Sequence, residues 1–174
     1  SFPTRRSSDL DTTGSLIICK NDKAHECIAS QLEEHSIKRE YLAIVTGVID
    51  KDGVIDKPIG RSSSDRKKMC VTPGGKRAVT HYEVIKIFEH FTLIKCRLET
   101  GRTHQIRVHM ASIGHPVAGD TVYGNGAKTP IPTYGQALHA YIIGFIHPVT
   151  KEYIELTAPL PDYFSLFIKL SEKV

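Results

Sequence analysis

An α+β fold, built on a mixed, mostly antiparallel β-sheet with flanking helices, is predicted by three observations. Strand-like runs outnumber helical ones. They are joined as hairpins more often than through crossover helices. Glycine and proline break the middle of the chain into short pieces. The chain has 174 residues, enough for one packed core and too few to argue for two.

The elements follow in order. Residues 15–20 (SLIICK) read as a buried strand. Asn21 or Asp22 can cap a helix running to about His35, with Ala24, Ile28 and Leu32 at helical spacing. Residues 39–47 (REYLAIVTG) read as a strand ending at glycine, with Tyr41, Ala43 and Val45 on one face. Gly53, Pro58, Gly60 and Pro73 restrict residues 50–73 to short strands and loops, and Pro73-Gly74-Gly75 is a turn. Residues 78–88 and 91–99 read as a hairpin, with Val79, His81, Glu83 and Ile85 on one face and Tyr82, Val84 and Lys86 on the other. Thr103 is the expected cap of a helix over 104–112. Residues 114–132 read as loop, 137–145 as helix or strand, 153–158 as strand, and Asp162 as the start of a last helix to about Leu170.

Composition narrows the function classes. Hydrophobic residues make up 40% and charged residues 24%, ordinary values for a water-exposed globular domain. The formal charge of +4 suits a polyanionic partner without requiring one. The four cysteines form no CxxC pair, so neither a zinc ribbon nor a dithiol redox site is expected, and reduced thiols in a cytoplasmic protein fit their spacing. No run is long enough for a membrane span. Nine histidines make no HExxH, and His104 and His109 are not aligned on one helix face, so no metal site is expected.

The segment LETGRTHQIRVH (98–109) places a strand end, a tight turn at Gly101 and a helix start in succession. Such a junction can aim Arg102 into a cleft, where a planar, permanently charged fork suits a carboxylate or phosphate; an ordinary surface junction is the alternative. Arg107 adds a second charge. Arg61, Arg66, Lys67 and Lys68 form a basic stretch that reads as a phosphate-contacting edge or as a solvated loop. Low aromatic content, 7% with no tryptophan, argues against a stacking platform for single strands.

GRTHQIRVHMASIGHPVAGDTVYG, KREYLAIVTG, KPIGRSSSDRKKMCVTP and LHAYIIGFIHPVTKEYIELTAPLPDYF together resemble RluA-type RNA pseudouridine synthases, collinearly and over nearly all of residues 11–164. The resemblance implies an isomerase that converts uridine to pseudouridine in structured RNA, ribosomal or transfer, with no cofactor and acting as a monomer. It implies that Arg102 partners the catalytic aspartate and that Tyr41 lies against the target base. The catalytic position falls on Asp9, just before Asp11-Thr12-Thr13-Gly14, but Arg6-Ser7-Ser8 stand where the family has His-Arg-Leu. Asp11 is a neighbour of that position. The DTTG run also looks like the Asp-Thr-Gly of aspartic proteases, but its spacing differs and no second copy occurs.

Residues 1–10 (SFPTRRSSDL) match the translation of a common sequencing-adapter oligonucleotide. The expected organisation is therefore a non-native leader over 1–10 and a partial catalytic domain over 11–174, one expected to be less stable and less active than an intact domain. A non-catalytic RNA-binding fragment of the same fold is the alternative reading. A metal-dependent hydrolase is a third, with poor ligand spacing.

Overall fold

The computed structural model describes residues 11–130 and 135–171. Its elements are β1 (Thr13–Gly14), α1 (Asp22–Glu33), β2 (Lys38–Thr46), β3 (Gly53–Asp56), β4 (Ile59–Arg61), β5 (Met69–Val71), β6 (Val79–Ile87), β7 (Phe91–Leu98), α2 (Gln105–Ser112), β8 (Leu138–Ile146), β9 (Tyr153–Thr157) and α3 (Asp162–Ser171). A 7-stranded sheet runs in the order β1-β8-β2-β7-β6-β3, with β9 also on β8, and β4-β5 form a separate ribbon. Only β1 on β8 is parallel among these pairings. The α+β expectation holds, and the ambiguous 137–145 run is a strand.

The centre of the sheet is covered on both faces. Consecutive residues Ala43, Ile44 and Val45 of β2 are all fully buried, which a half-exposed strand does not allow. Ile94, Cys96, Met110 and Leu138 join them. Helix α3 contributes Phe164 and Phe167, and the Phe167 ring meets Phe91 edge to face at 5.1 Å. Burial pushes the Cys96 thiol up to about 12, so it is an inert core group.

Several expectations are corrected. Residues 15–20 form no strand; Leu16 and Ile18 are 76% and 66% exposed. The reason is edge occupancy. β1 pairs with His139 and Ala140, but β9 takes β8 from Ile142 onward, so the ladder cannot continue past Ser15. Asn21 caps α1 by accepting from the Ala24 N–H at 2.9 Å, but the buried face is Ile28 and Gln31 rather than Leu32. Gln31 exchanges two hydrogen bonds with the Ile146 backbone and so joins α1 to β8. A bulge between Val84 and Lys86 ends the alternation read along β6 and leaves Ile85 outside the ladder, exposed. Thr103 caps nothing; His104, in the left-handed region at φ 56°, occupies the cap position of α2 with no side-chain cap bond.

Candidate active site

Helix α2 begins where β7 ends, and the side chain of Gln105 builds the junction. Its Oε1 accepts from the Arg102 backbone N–H at 2.9 Å and from the Thr100 hydroxyl at 2.8 Å. Its Nε2 donates to the Val79 carbonyl and the Thr80 hydroxyl. One buried amide thus replaces the expected cap and ties the turn to β6. The sequence signal available was weak: a polar residue opening a helix whose other positions include Ile106 and Val108.

His109 continues the chain of bonds. Its Nε2 donates to the Lys57 carbonyl, so its Nδ1 accepts from the Thr80 hydroxyl, each at 2.9 Å. Burial favours the neutral ring and lowers its pKa below the ordinary 6.5, and the two bonds suit that neutral form. The unfolded chain then binds this proton more readily than the folded one. Stability is therefore retained above about pH 6.5 and falls as pH drops below it toward the folded value. Melting the chain and a His109→Gln variant from about pH 8 to about pH 5.5 checks this. The parent should lose more of its midpoint than the variant, and parallel curves would refute the assignment.

The turn borders a cleft of about 340 Å³. Arg39 and Tyr41 of β2, Leu138 of β8, Gly101, Arg102, and the start of α2 from His104 to Arg107 line it. The lining contains three arginines and no carboxylate. Tyr41, expected in the site, is there, half-buried between Cys96 and Ala140 of the neighbouring strands. Arg102 is there too, with its Nε donating to the Arg77 carbonyl at 2.9 Å.

Arg107, expected to contact RNA, lines the cleft but is only 4% exposed. Its Nε and Nη2 donate to the two oxygens of Asp120 at 2.7 and 2.8 Å, and it stacks on Tyr123 at 5.1 Å. Asp120 also accepts from the N–H groups of Val122 and Tyr123. Burial alone would raise its carboxyl, but Arg107 and these two amides outweigh that and hold it below the usual range. Asp120 was not singled out from sequence, and only its place among glycines in a predicted loop marked it.

Arg61, Arg66, Lys67 and Lys68 lie exposed on the β4-β5 ribbon and the turn between its strands. The Tyr123 hydroxyl accepts from the Met69 N–H at 3.0 Å and bonds His104 Nδ1 at 2.8 Å, so the ribbon is fastened to the cleft's edge. Asp9 lies outside the described residues. The segment after it is pinned: Gln136 donates to the Thr12 hydroxyl, and Thr13 bonds His139 Nδ1 at 2.8 Å. Gly14, at φ 105°, passes so close to Ala140 that a Cβ would strike its backbone. Among the described residues, no group of His, Cys, Asp and Glu is placed to hold a metal, and no helix is long and apolar enough to cross a membrane.

The sequence profile described as RNA pseudouridylate synthase matches residues 6–112. The chain is 54% identical over 155 residues to the uncharacterized RNA pseudouridine synthase YlyB of Bacillus subtilis, covering 88% of this chain and 50% of that protein. It is 46% identical to ribosomal large subunit pseudouridine synthase D of Zymomonas mobilis, covering 93% of this chain and 54% of that one. It thus spans about half the length of these relatives. Human RNA pseudouridylate synthase domain containing 1 superposes with a TM-score of 0.70 at 24% identity, over 89% of this chain and 74% of that one.

Proposed function

The chain belongs to the RNA pseudouridylate synthase family, and we propose that it isomerises uridine to pseudouridine in structured RNA. The observation that carries this reading is a cleft presenting Tyr41 and several guanidiniums but no carboxylate of its own. Such a site is complementary to a carboxylate and to phosphate. The names of several relatives refer to the large ribosomal subunit, which makes its RNA the first substrate to test.

The reaction breaks the bond between uracil N1 and the ribose, turns the base, and joins C5 to the same ribose carbon. N1 gains a proton and C5 loses one, so no electrons enter or leave and the chemistry calls for no redox cofactor. A carboxylate in the cleft serves as nucleophile on the sugar or as the base that takes a sugar proton. The family position for it is Asp9. Tyr41 supplies a ring face for the extruded base, whose flipping costs roughly a few kcal/mol. The exposed cations of the β4-β5 ribbon, Arg61, Arg66, Lys67 and Lys68, neutralise phosphates beside the target.

Two arginines compete for the carboxylate. Arg102 was expected in that role from sequence, and it sits at the turn, anchored by Arg77. Arg107 is buried and held in one orientation by Asp120, which supports it as the partner of the reacting group. A guanidinium there favours the ionised carboxylate.

Tritium release from C5-labelled uridine in ribosomal and transfer RNA tests the proposal. The chain should release tritium, and an Asp9→Asn variant should not. Release unchanged in the variant would exclude Asp9. Absence of release from either would favour the RNA-binding alternative for this chain.

A further inference from the structure

A second groove, of about 500 Å³, adjoins the first. It is lined by residues 35–39 at the start of β2 and by Arg97, Leu98 and Glu99 at the end of β7. Arg39 and Leu98 line both grooves and form the wall between them.

Arg39 is an unusual wall residue. It is partly buried, and its Nε is shielded from solvent with no hydrogen-bond partner among the described residues. Its hydrogen bond from Nη2 to the Glu99 carbonyl is long, at 3.5 Å. Burial lowers its pKa from the ordinary value, with Tyr41 opposing that shift. A guanidinium so placed costs stability unless an anion completes it. The lack of a side chain at Gly101 makes the placement possible, because a Cβ there would collide with Arg39 Nη1. The nearest carboxylate in the second groove, Glu99, is already engaged by His81 and Arg77. Arg97, in the same groove, is exposed and enters no ion pair among the described residues. The two grooves thus join through Arg39 beside Tyr41, with Arg97 beyond it at the sheet's end, on the opposite face and in register with Glu40.

We propose that Arg39 binds a backbone phosphate next to the target nucleotide and that the RNA strand continues through the second groove to Arg97. This rests on the RNA reading above and adds a strand direction to it. A nucleotide turned into the cleft brings its own phosphates with it, and a planar fork in the wall can take two oxygens of one of them.

The test is the salt dependence of binding to a synthetic RNA stem–loop carrying a loop uridine, for the parent chain and for Arg39→Gln, Arg39→Lys, Arg97→Gln and the double Gln variant. Each lost phosphate contact lowers the slope of log affinity against log salt by about 0.7–0.9. Arg39→Gln and Arg97→Gln should each show that decrease, and the double variant their sum. Arg39→Lys should keep the slope while losing affinity, because the charge remains and the fork does not. An Arg39→Gln variant with a weaker affinity but an unchanged slope would make Arg39 a packing residue and overturn the proposal. Failure of the parent to bind the stem–loop would overturn it as well. C5 tritium release, measured separately, decides the isomerase reading: release with an unchanged Arg39→Gln slope removes only the phosphate assignment, whereas slope loss without release removes only the isomerase.

Discussion

Asp120→Ala should destabilise the fold by about 3–5 kcal/mol, the range for stripping one partner from a buried ion pair. Arg107 and Asp120 are almost inaccessible, at 5% and 0% side-chain exposure, so water cannot replace the missing carboxylate. The substitution strands a guanidinium in the core and leaves the N–H groups of Val122 and Tyr123 without their acceptor. For a domain of this size the thermal midpoint should fall by roughly 6–20 °C. The double variant Arg107→Met with Asp120→Leu should recover much of the loss, since it removes both charges rather than one. Urea denaturation measures all of these. A single-variant loss under about 1 kcal/mol would mean that the pair is solvated in solution, contrary to its geometry here. The sign with pH follows from the depressed carboxyl: its contribution is complete above the ordinary aspartate range and disappears as pH falls through the folded value.

The strands that pair along their length were legible in the sequence because their patterns are local. REYLAIVTG carries its alternation and its terminating glycine, and the β6–β7 hairpin carries two apolar runs around a short connection. Residues 15–20 carry the same kind of signal, yet form no ladder, because β9 occupies the edge they would need. Edge competition is set by a strand more than 130 residues away and leaves no local trace. The bulge at Ile85 and the exposure of Leu32 fail for the same kind of reason: tertiary neighbours, not period, choose the buried face. In the site, Tyr41 and the Gly101–Arg102 turn were legible from a strand, a turn and a helix in succession. Gln105, Asp120 and Arg39 were not. Each acts through a partner distant in sequence, and a polar residue in a helix, loop or strand looks the same whether it is solvated or buried.

Arg107→Lys should reduce turnover by about 100- to 1000-fold, the scale for losing one oriented electrostatic contact in an active site, while RNA affinity changes little. Lysine keeps a positive charge for Asp120, so the fold should survive with a modest fall in midpoint. What it loses is the planar fork by which Nε and Nη2 meet the two oxygens of Asp120 and fix the guanidinium's orientation. A carboxylate engaged by a fixed guanidinium is held ionised and at one angle to the sugar, and a flexible ammonium does not supply the angle. Arg102→Met should cost about tenfold or less in turnover, because its side chain is half-exposed at the turn, where water screens its charge. Its loss should fall on KM more than on kcat, as expected for a group that positions RNA rather than the reacting atoms. Single-turnover C5 tritium release, with midpoints measured in parallel, separates the two residues. A large kcat loss in Arg102→Met beside near-normal turnover in a well-folded Arg107→Lys would restore Arg102 as the carboxylate's partner. It would also leave Arg107 and Asp120 as a purely structural pair. The reverse result would mean that the most buried ion pair in the described protein is kept to aim a guanidinium at the reaction, with Asp120 as its positioning residue.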